Sequence, residues 1–277
     1  MNTTNCDRAI AYDDFFGVRN IIFEMTNACN MHCTYCFEEN TRHHRTSGAI
    51  SWQIIQFALD SIILEENELY VVTFFGGEPL LNTDLIFRTI TYAKKVAYMR
   101  RSFVSFNMVT NATCLDSKTI LRLNSEEVYL FISFDGDQDS QDKYRRMANG
   151  QSSYGRVLTN LKALIHSRRS MKCKDNMAVR MTVTRDGIER LVERYQFLCQ
   201  LGCNKITFAL VSSSAEKPYA ISNDDFGALR TAYRELADVF LQEVREGNIH
   251  NRFFLSLVKK SLMVYIVIIS VTAAIDI

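Results

Sequence analysis

The chain has 277 residues, 47% of them hydrophobic and 23% charged, and its formal net charge is +1 at pH 7. Two prolines and eleven glycines exclude a linker-rich chain, and the even spread of Lys and Arg argues against a nucleic-acid partner. Eight cysteines in a chain of this length do not resemble a small disulfide scaffold. Residues 1–14 are polar and acidic where a signal peptide would be apolar. We therefore expect reduced thiols and a cytoplasmic protein.

Apolar, β-branched runs alternate with amphipathic stretches along the chain. The runs predict six strands, at residues 20–26, 70–75, 103–110, 128–134, 177–184 and 205–211. The stretches after them predict helices at residues 51–66, 83–101, 117–124, 153–169, 187–201 and 224–246. This alternation indicates βαβ units and a parallel sheet. Six units are too few for a closed eight-unit barrel, so we predict an α/β fold, an open partial (β/α)6 barrel with functional loops at the carboxyl ends of its strands.

The chain divides into an N-terminal extension at residues 1–17, a core domain at 18–247 and an apolar tail at 248–277. Within the tail, residues 261–275 are uncharged and almost wholly apolar. This length falls short of the roughly 20 residues that a helix needs to span a bilayer. We expect a buried strand or foreign sequence there, with a membrane anchor as the alternative.

Three cysteines follow the first predicted strand, as Cys29-x3-Cys33-x2-Cys36. Four-iron clusters use thiolates as protein ligands, so three from one loop would bind three irons and leave the fourth open. An open coordination position is typical of a reactive metal site. The alternatives are ordinary buried cysteines or zinc ligands. Zinc sites usually bring a second pair downstream, and Cys199 and Cys203 lack its usual spacing.

Polar motifs end the next two predicted strands. Gly76 and Gly77 would let the backbone approach a ligand closely, and the Glu78 carboxylate could bind an ammonium group. Alternatively, Glu78 is a helix-capping acid in a simple strand-to-helix turn. Asn111 could donate a hydrogen bond to a ligand, and its alternative is to cap the helix at residue 117.

The fourth and fifth predicted strands lead into further polar groups. Ser133 and Asp135 are two residues apart, a spacing that puts both on one face of a strand. Arg145 could pair with a ligand carboxylate in bidentate fashion, although a solvated surface arginine is commoner. Alternation places Arg180 and Thr182 on one face, which could line the barrel interior. Each motif is weak alone, but all are expected at the same rim.

The cysteine motif, with Tyr35 before the last cysteine, resembles the signature of radical S-adenosylmethionine (radical SAM) enzymes. Residues 76–79, 133–136 and the pair Asp142-x-x-Arg145 match further motifs of that superfamily. The combination looks most like the branch that modifies peptides and proteins, which includes anaerobic sulfatase-maturating enzymes and ribosomal-peptide maturases. The resemblance covers about residues 18 to 212.

The resemblance implies a set of cofactor-binding residues. Cys29, Cys33 and Cys36 would bind a [4Fe–4S] cluster, and S-adenosylmethionine would chelate its open iron. Glu78, with the backbone of Gly76 and Gly77, would hold the ammonium group of that cofactor. Arg145 would contact its carboxylate, Ser133 its carboxylate or ribose, and Tyr35 would lie near its adenine. Asn111 and Arg180 are assigned to cofactor binding only by their strand positions.

The implied reaction is reductive cleavage of S-adenosylmethionine, followed by hydrogen abstraction from a peptide or protein substrate. A flavodoxin or ferredoxin would be the low-potential electron donor. Members of this branch usually continue into a cysteine-rich C-terminal domain, whereas no cysteine follows Cys203 here. We therefore expect a truncated chain. Two functions stay open, an active peptide maturase and a non-catalytic remnant that keeps the fold.

Overall fold

The computed structural model describes residues 19–36, 48–171 and 176–247. The six long strands are β1 (Arg19–Thr26), β3 (Leu69–Gly76), β4 (Phe103–Thr110), β5 (Tyr129–Ser133), β7 (Met177–Val183) and β8 (Ile206–Leu210). They form one parallel sheet in the order β1-β3-β4-β5-β7-β8. These are the six predicted strands, and the predicted α/β partial barrel is confirmed.

A second, antiparallel sheet of two short strands was not predicted. It pairs β2 (Met31–Cys33) with β6 (Arg145–Met147). Three residues are too few for a strand to show an alternating pattern in the sequence, and the two strands are more than a hundred residues apart.

Seven α-helices surround the parallel sheet in the described part of the chain. They are α1 (Trp52–Ile62), α2 (Thr83–Met99), α3 (Ser117–Ser125), α4 (Gln138–Tyr144), α5 (Tyr154–Ser170), α6 (Leu191–Leu201) and α7 (Phe226–Arg245). Six of them correspond to the predicted helices, and α4 is the addition. None of these helices is long and apolar enough to cross a membrane. The apolar tail and the whole N-terminal extension lie outside the described residues, so the domain boundaries proposed there stay predictions.

Short polar side chains begin several of these helices, as helix geometry requires. The first backbone N–H groups of a helix have no partner within it. The Asp116 carboxylate accepts a hydrogen bond from the Thr119 N–H at 2.7 Å at the start of α3, and Asp137 accepts one from the Ser140 N–H at 2.9 Å at the start of α4. Caps of this kind stabilise a helix by about 1 kcal/mol.

The apolar core lies between the outer face of the parallel sheet and the helices. Val72 and Phe74 of β3 are fully buried, as are Ile55 of α1 and Ile90 of α2. The neighbouring residue Phe75 points to the other side and lines a cavity. Successive side chains of a strand alternate between its faces, so one side of the sheet is packed and the other is available for a site.

Beneath the core, the amino ends of β5 and β7 are joined by the Arg168 guanidinium, which is 1% exposed. Its Nε donates to the Asn124 Oδ1 at 2.9 Å, its Nη2 donates to the Val128 carbonyl before β5 at 2.8 Å, and its Nη1 donates to the Asn176 carbonyl before β7. A buried cation must have hydrogen-bond acceptors, since an unsatisfied one is costly. This cluster therefore stabilises the end of the sheet opposite the cavity.

Replacing Asn124 by Ala removes an acceptor from the buried Arg168 and should lower the free energy of unfolding by about 2 kcal/mol. Urea denaturation measures this change. The matched control is Asn149→Ala at an exposed turn, where a change below about 0.5 kcal/mol is expected. Equal losses in the two variants would contradict a stabilising role for the Arg168 cluster.

Candidate functional site

A cavity of about 350 Å³ lies at the carboxyl ends of the parallel strands. Its volume is within the range of small-molecule binding sites. It is lined by all of the predicted site residues except Glu78, namely Cys29, Cys33, Tyr35, Cys36, Gly76, Gly77, Asn111, Ser133, Arg145 and Arg180. The structure therefore brings residues from distant parts of the sequence to one place, at the rim where the strand pattern put them.

The short antiparallel ladder connects the cysteine loop to Arg145. Cys33 of β2 is the register partner of Arg145 of β6, and the next N–H, of Thr34, donates to the Tyr144 carbonyl at 2.8 Å. On the other side of the ladder, the Ala148 N–H donates to the Asn30 carbonyl at 2.9 Å. The backbone of the cysteine loop and that of Arg145 are therefore held together as one unit.

The three cysteines all line the cavity, and none of them forms a disulfide bond. Burial raises the pKa of Cys33 to about 11, although the nearby Arg145 guanidinium opposes this rise. The Asn111 amide donates a weak hydrogen bond to the Cys29 sulfur at 3.8 Å. Within the described ranges, no group of three His, Cys, Asp or Glu side chains is placed to hold a single metal ion. A four-iron cluster makes a different demand, because each thiolate binds a different iron.

Gly76 and Gly77 bring the end of β3 against the chain that leads to Cys29. Gly76 has a φ of +116°, which side chains rarely adopt. A Cβ on Gly77 would lie 2.1 Å from the Ala28 carbonyl oxygen, and the Glu78 N–H donates to that same oxygen at 2.9 Å. Only glycine fits this approach, and both Gly76 and Gly77 line the cavity.

The Glu78 carboxylate does not line the cavity and is 1% exposed. It accepts hydrogen bonds from the Thr110 hydroxyl at 2.6 Å, the Asn111 N–H at 2.7 Å and the Leu80 N–H at 3.1 Å. Burial raises its pKa, and these donors oppose the rise. The hydrogen bond from Leu80 makes Glu78 the cap of a short 3-10 helix, which is the helix-capping role named above as the alternative to ligand binding. The carboxylate also ties the end of β3 to the end of β4.

Asn111 does not cap the helix at residue 117, which was the alternative to a ligand-binding role for this residue. The helix after β4 is capped by Asp116, whereas the Asn111 amide donates to the Asn30 Oδ1 at 3.0 Å and lines the cavity. Its Oδ1 accepts from the Thr113 N–H at 2.9 Å. Asn111 therefore holds the strand end and the cysteine loop in contact.

Arg145 is 7% exposed, which excludes the alternative interpretation of this residue as a solvated surface arginine. Its Nη1 donates to the Tyr35 hydroxyl at 3.2 Å, and Tyr35 in turn donates to the Asp135 carboxylate. Burial raises the pKa of Asp135, with Arg145 opposing this rise. The Arg145 Nε is buried and has no hydrogen-bond partner among the described residues. A buried guanidinium with an unused donor suits an anionic ligand.

A second guanidinium, that of Arg180, also lines the cavity. It lies on β7 beside Ser133, its register partner on β5, and Thr182 follows on the same face, as predicted. No Asp or Glu is among the lining residues in the part of the chain that the structure describes. Two cations without a carboxylate give the cavity a positive potential, which favours a ligand with negative groups.

Some residues of the site have roles that the sequence did not assign. Asp135 was placed on the Ser133 face of a strand, but β5 ends at Ser133 and Asp135 is buried behind the cavity wall. Thr110 bonds to Glu78, and the cavity is also lined by Leu210 at the end of β8 and by Ser212 just beyond it. The only signal for the last two was the predicted end of the sixth strand, where a parallel sheet places its functional loops.

Comparison with known protein families identifies the class of protein. The model of the Radical SAM superfamily matches residues 23–195, which span most of the sheet and the whole cysteine motif. The chain belongs to this superfamily, whose members use a [4Fe–4S] cluster and S-adenosylmethionine. The predicted family and its cofactors are therefore confirmed.

Particular relatives are more distant. The chain is 24% identical over 238 residues to a cysteine-type anaerobic sulfatase-maturating enzyme of Clostridium novyi, covering 82% of this chain and 60% of the relative. It is 26% identical over 195 residues to an uncharacterized protein of Methanocaldococcus jannaschii, covering 70% and 63%. The chain thus spans about three fifths of the length of these relatives.

Solved structures share the fold. The structure of native anSMEcpe with bound AdoMet and the Kp18Cys peptide has a TM-score of 0.77 at 18% identity, covering 89% of this chain and 67% of that one. Streptococcus suis SuiB bound to its precursor peptide SuiA has a TM-score of 0.57 at 15% identity, covering 82% and 47%. At these identities the likeness concerns the arrangement of the strands and helices.

The site fits the cofactors of the superfamily in three observed respects. Three cysteines that form no disulfide bond line one cavity, and thiolates are the protein ligands of a cluster. The unpaired Arg145 Nε suits the carboxylate of an amino acid. Gly76 and Gly77 line the cavity without side chains, and an ammonium group needs acceptors such as main-chain carbonyls.

Replacing Gly77 by Ala should push the segment of Ala28 and Cys29 away and lower the free energy of unfolding by about 1–3 kcal/mol or more. The matched control is Gly155→Ala in the first turn of α5, where a Cβ meets nothing within 4 Å. That variant should gain up to about 1 kcal/mol from helix propensity. Urea denaturation of both variants measures the difference, and equal stabilities would show that the close approach is unimportant.

Proposed function

We propose that the chain is a radical SAM enzyme that binds a [4Fe–4S] cluster through Cys29, Cys33 and Cys36 and uses S-adenosylmethionine to abstract hydrogen from a peptide or protein substrate. The observation that carries this proposal is the one cavity that is lined both by the three cysteines and by Arg145, whose buried Nε has no hydrogen-bond partner among the described residues. When bound, the two cofactors supply the reductive cleavage of a sulfonium and a reactive hydrogen acceptor.

The residues of the chain would bind and orient these cofactors. Arg145 would donate to the carboxylate of S-adenosylmethionine, and Ser133 would add a hydroxyl beside it. The backbone of Gly76 and Gly77 would face the ammonium group. Glu78 would act from behind, because its carboxylate already bonds to the ends of β3 and β4. Its predicted direct contact with the ammonium group would need those bonds to rearrange.

The remaining cofactor residues are proposed from their places in the same wall. Tyr35 would pack near the adenine, and Asn111 would keep the cysteine loop against the end of β4. Arg180 is exposed within the cavity, where it would add positive charge for the cofactor or the substrate. Apolar lining from Phe75, Val109 and Leu210 would exclude water from the reacting atoms.

A peptide substrate is supported by the relatives and by the open mouth of the cavity. Sulfatase-maturating enzymes are among the relatives, and two neighbouring structures hold peptides. The sheet is open between its edge strands, β1 and β8, in the described part of the chain. This opening would admit an extended chain to the cavity. The whole activity is a proposal, since the chain spans about three fifths of these relatives.

Electron supply and location follow from the cluster. A low-potential donor such as a flavodoxin or ferredoxin would reduce it. The six cysteines in the described residues are all free, which fits the reducing cytoplasm.

Anaerobic reconstitution with iron and sulfide tests the proposed function. The wild-type chain should take up about four irons and, with dithionite and S-adenosylmethionine, release 5′-deoxyadenosine. Cys33→Ala should abolish this release and most of the cluster absorbance. Cys203→Ala removes another buried thiol, one that does not line the cavity, and should leave both unchanged.

Two results would contradict the proposal. A wild-type chain that binds zinc and develops no iron–sulfur absorbance would point to a thiol-based zinc site. A chain that assembles the cluster but releases no 5′-deoxyadenosine would be a non-catalytic remnant of such an enzyme.

A further inference from the structure

Asp135 is 2% exposed and does not itself line the cavity, yet its two oxygens have fixed partners on opposite sides. Its Oδ1 accepts from the Thr182 N–H of β7 at 3.0 Å. Its Oδ2 accepts from the Tyr35 hydroxyl. The carboxylate thus joins the rigid sheet to the cysteine loop, and each oxygen is used as an acceptor.

The bond from Tyr35 to Asp135 decides how Tyr35 meets Arg145. A phenol has one hydrogen, and here that hydrogen is donated to Asp135. The hydroxyl oxygen is then available as an acceptor, and the Arg145 Nη1 donates to it at 3.2 Å. If Asp135 did not accept this hydrogen, the phenol could turn it toward the cationic guanidinium and lose the interaction.

The backbone of Arg145 is held separately. The Ser153 hydroxyl donates to the Arg145 carbonyl, and the Gln141 amide donates to that hydroxyl at 2.8 Å. The ladder with Cys33 holds the backbone from the other side. These contacts act on the backbone of Arg145 and not on its guanidinium, whose long side chain has several rotamers to choose from. Among the described residues, the Tyr35 hydroxyl is the hydrogen-bond acceptor recorded for this guanidinium.

We propose that Asp135 and Tyr35 are positioning residues that hold the Arg145 guanidinium so that its unpaired Nε faces a carboxylate bound in the cavity. This inference deepens the proposed function and rests on it. It assigns to Asp135 a role in recognising the amino-acid end of S-adenosylmethionine without any contact with it. It also predicts that Asp135 acts only through Arg145.

Equilibrium binding of two probes to the anaerobically reconstituted chain tests this inference. The probes are S-adenosylmethionine and its decarboxylated analogue, which lacks the group that Arg145 would bind. The wild-type chain should prefer S-adenosylmethionine. Asp135→Asn offers one acceptor oxygen where two are needed, and should reduce this preference about tenfold. Tyr35→Phe keeps Asp135 in place and should reduce it about threefold.

A double-mutant cycle separates positioning from general damage. Arg145→Ala should remove the contribution of Arg145 to the preference, and adding Asp135→Asn to that variant should change the preference no further. Asn124→Ala, at the opposite end of the sheet, lowers stability and should leave the preference unchanged. If Asp135→Asn is too unstable to purify, Tyr35→Phe carries the same cycle.

The outcomes distinguish this inference from the proposed function. A wild-type chain that binds neither probe overturns both. A wild-type preference that Asp135→Asn and Tyr35→Phe leave unchanged overturns the positioning role alone. Equal loss of affinity for both probes also overturns it, because a damaged fold would not distinguish the carboxylate. Loss of preference that persists in the Arg145→Ala background shows that Asp135 does not act through Arg145.

Discussion

Parallel pairing of the six long strands is the constraint on which the site depends, because it sends every carboxyl end to the same edge. Residues as far apart in sequence as Cys29 and Arg180 then line one cavity. The helices return the chain to the opposite edge, where the Arg168 cluster joins the amino ends of two strands. Stability is concentrated at one end and chemistry at the other, as is usual for α/β folds.

A second level of organisation ties the two halves of the site together. The ladder between β2 and β6 makes Cys33 and Arg145 backbone neighbours, so the proposed metal ligand and the proposed anion-binding residue are held side by side. Behind the cavity wall, the buried carboxylates Glu78 and Asp135 connect strand ends to one another and to the cysteine loop. These two acidic groups therefore hold the cavity wall in place without lining the cavity. The polar side chains that line it carry thiol, hydroxyl, amide and guanidinium groups.

Much of this arrangement could be predicted from the sequence, because long apolar strands and the Cys29-x3-Cys33-x2-Cys36 spacing are local signals. The antiparallel ladder and the short helix α4 carry no such signal. The function of Glu78 was harder to predict for another reason. A carboxylate beside two glycines is compatible with a ligand or with a cap, and only the tertiary positions of Thr110 and Asn111 decide between them. Asp135 likewise depends on partners far away in the chain.

In the proposed arrangement, the cavity holds S-adenosylmethionine by its amino-acid end, between Arg145 and the open fourth iron of the cluster that the three cysteines would bind. Electron paramagnetic resonance and electron–nuclear double resonance of the reduced, reconstituted chain test it directly. With S-adenosylmethionine labelled with 15N at its amino group, the cluster spectrum should change and show coupling to that nitrogen. A spectrum that is unchanged by saturating S-adenosylmethionine, with no nitrogen coupling, would contradict this arrangement.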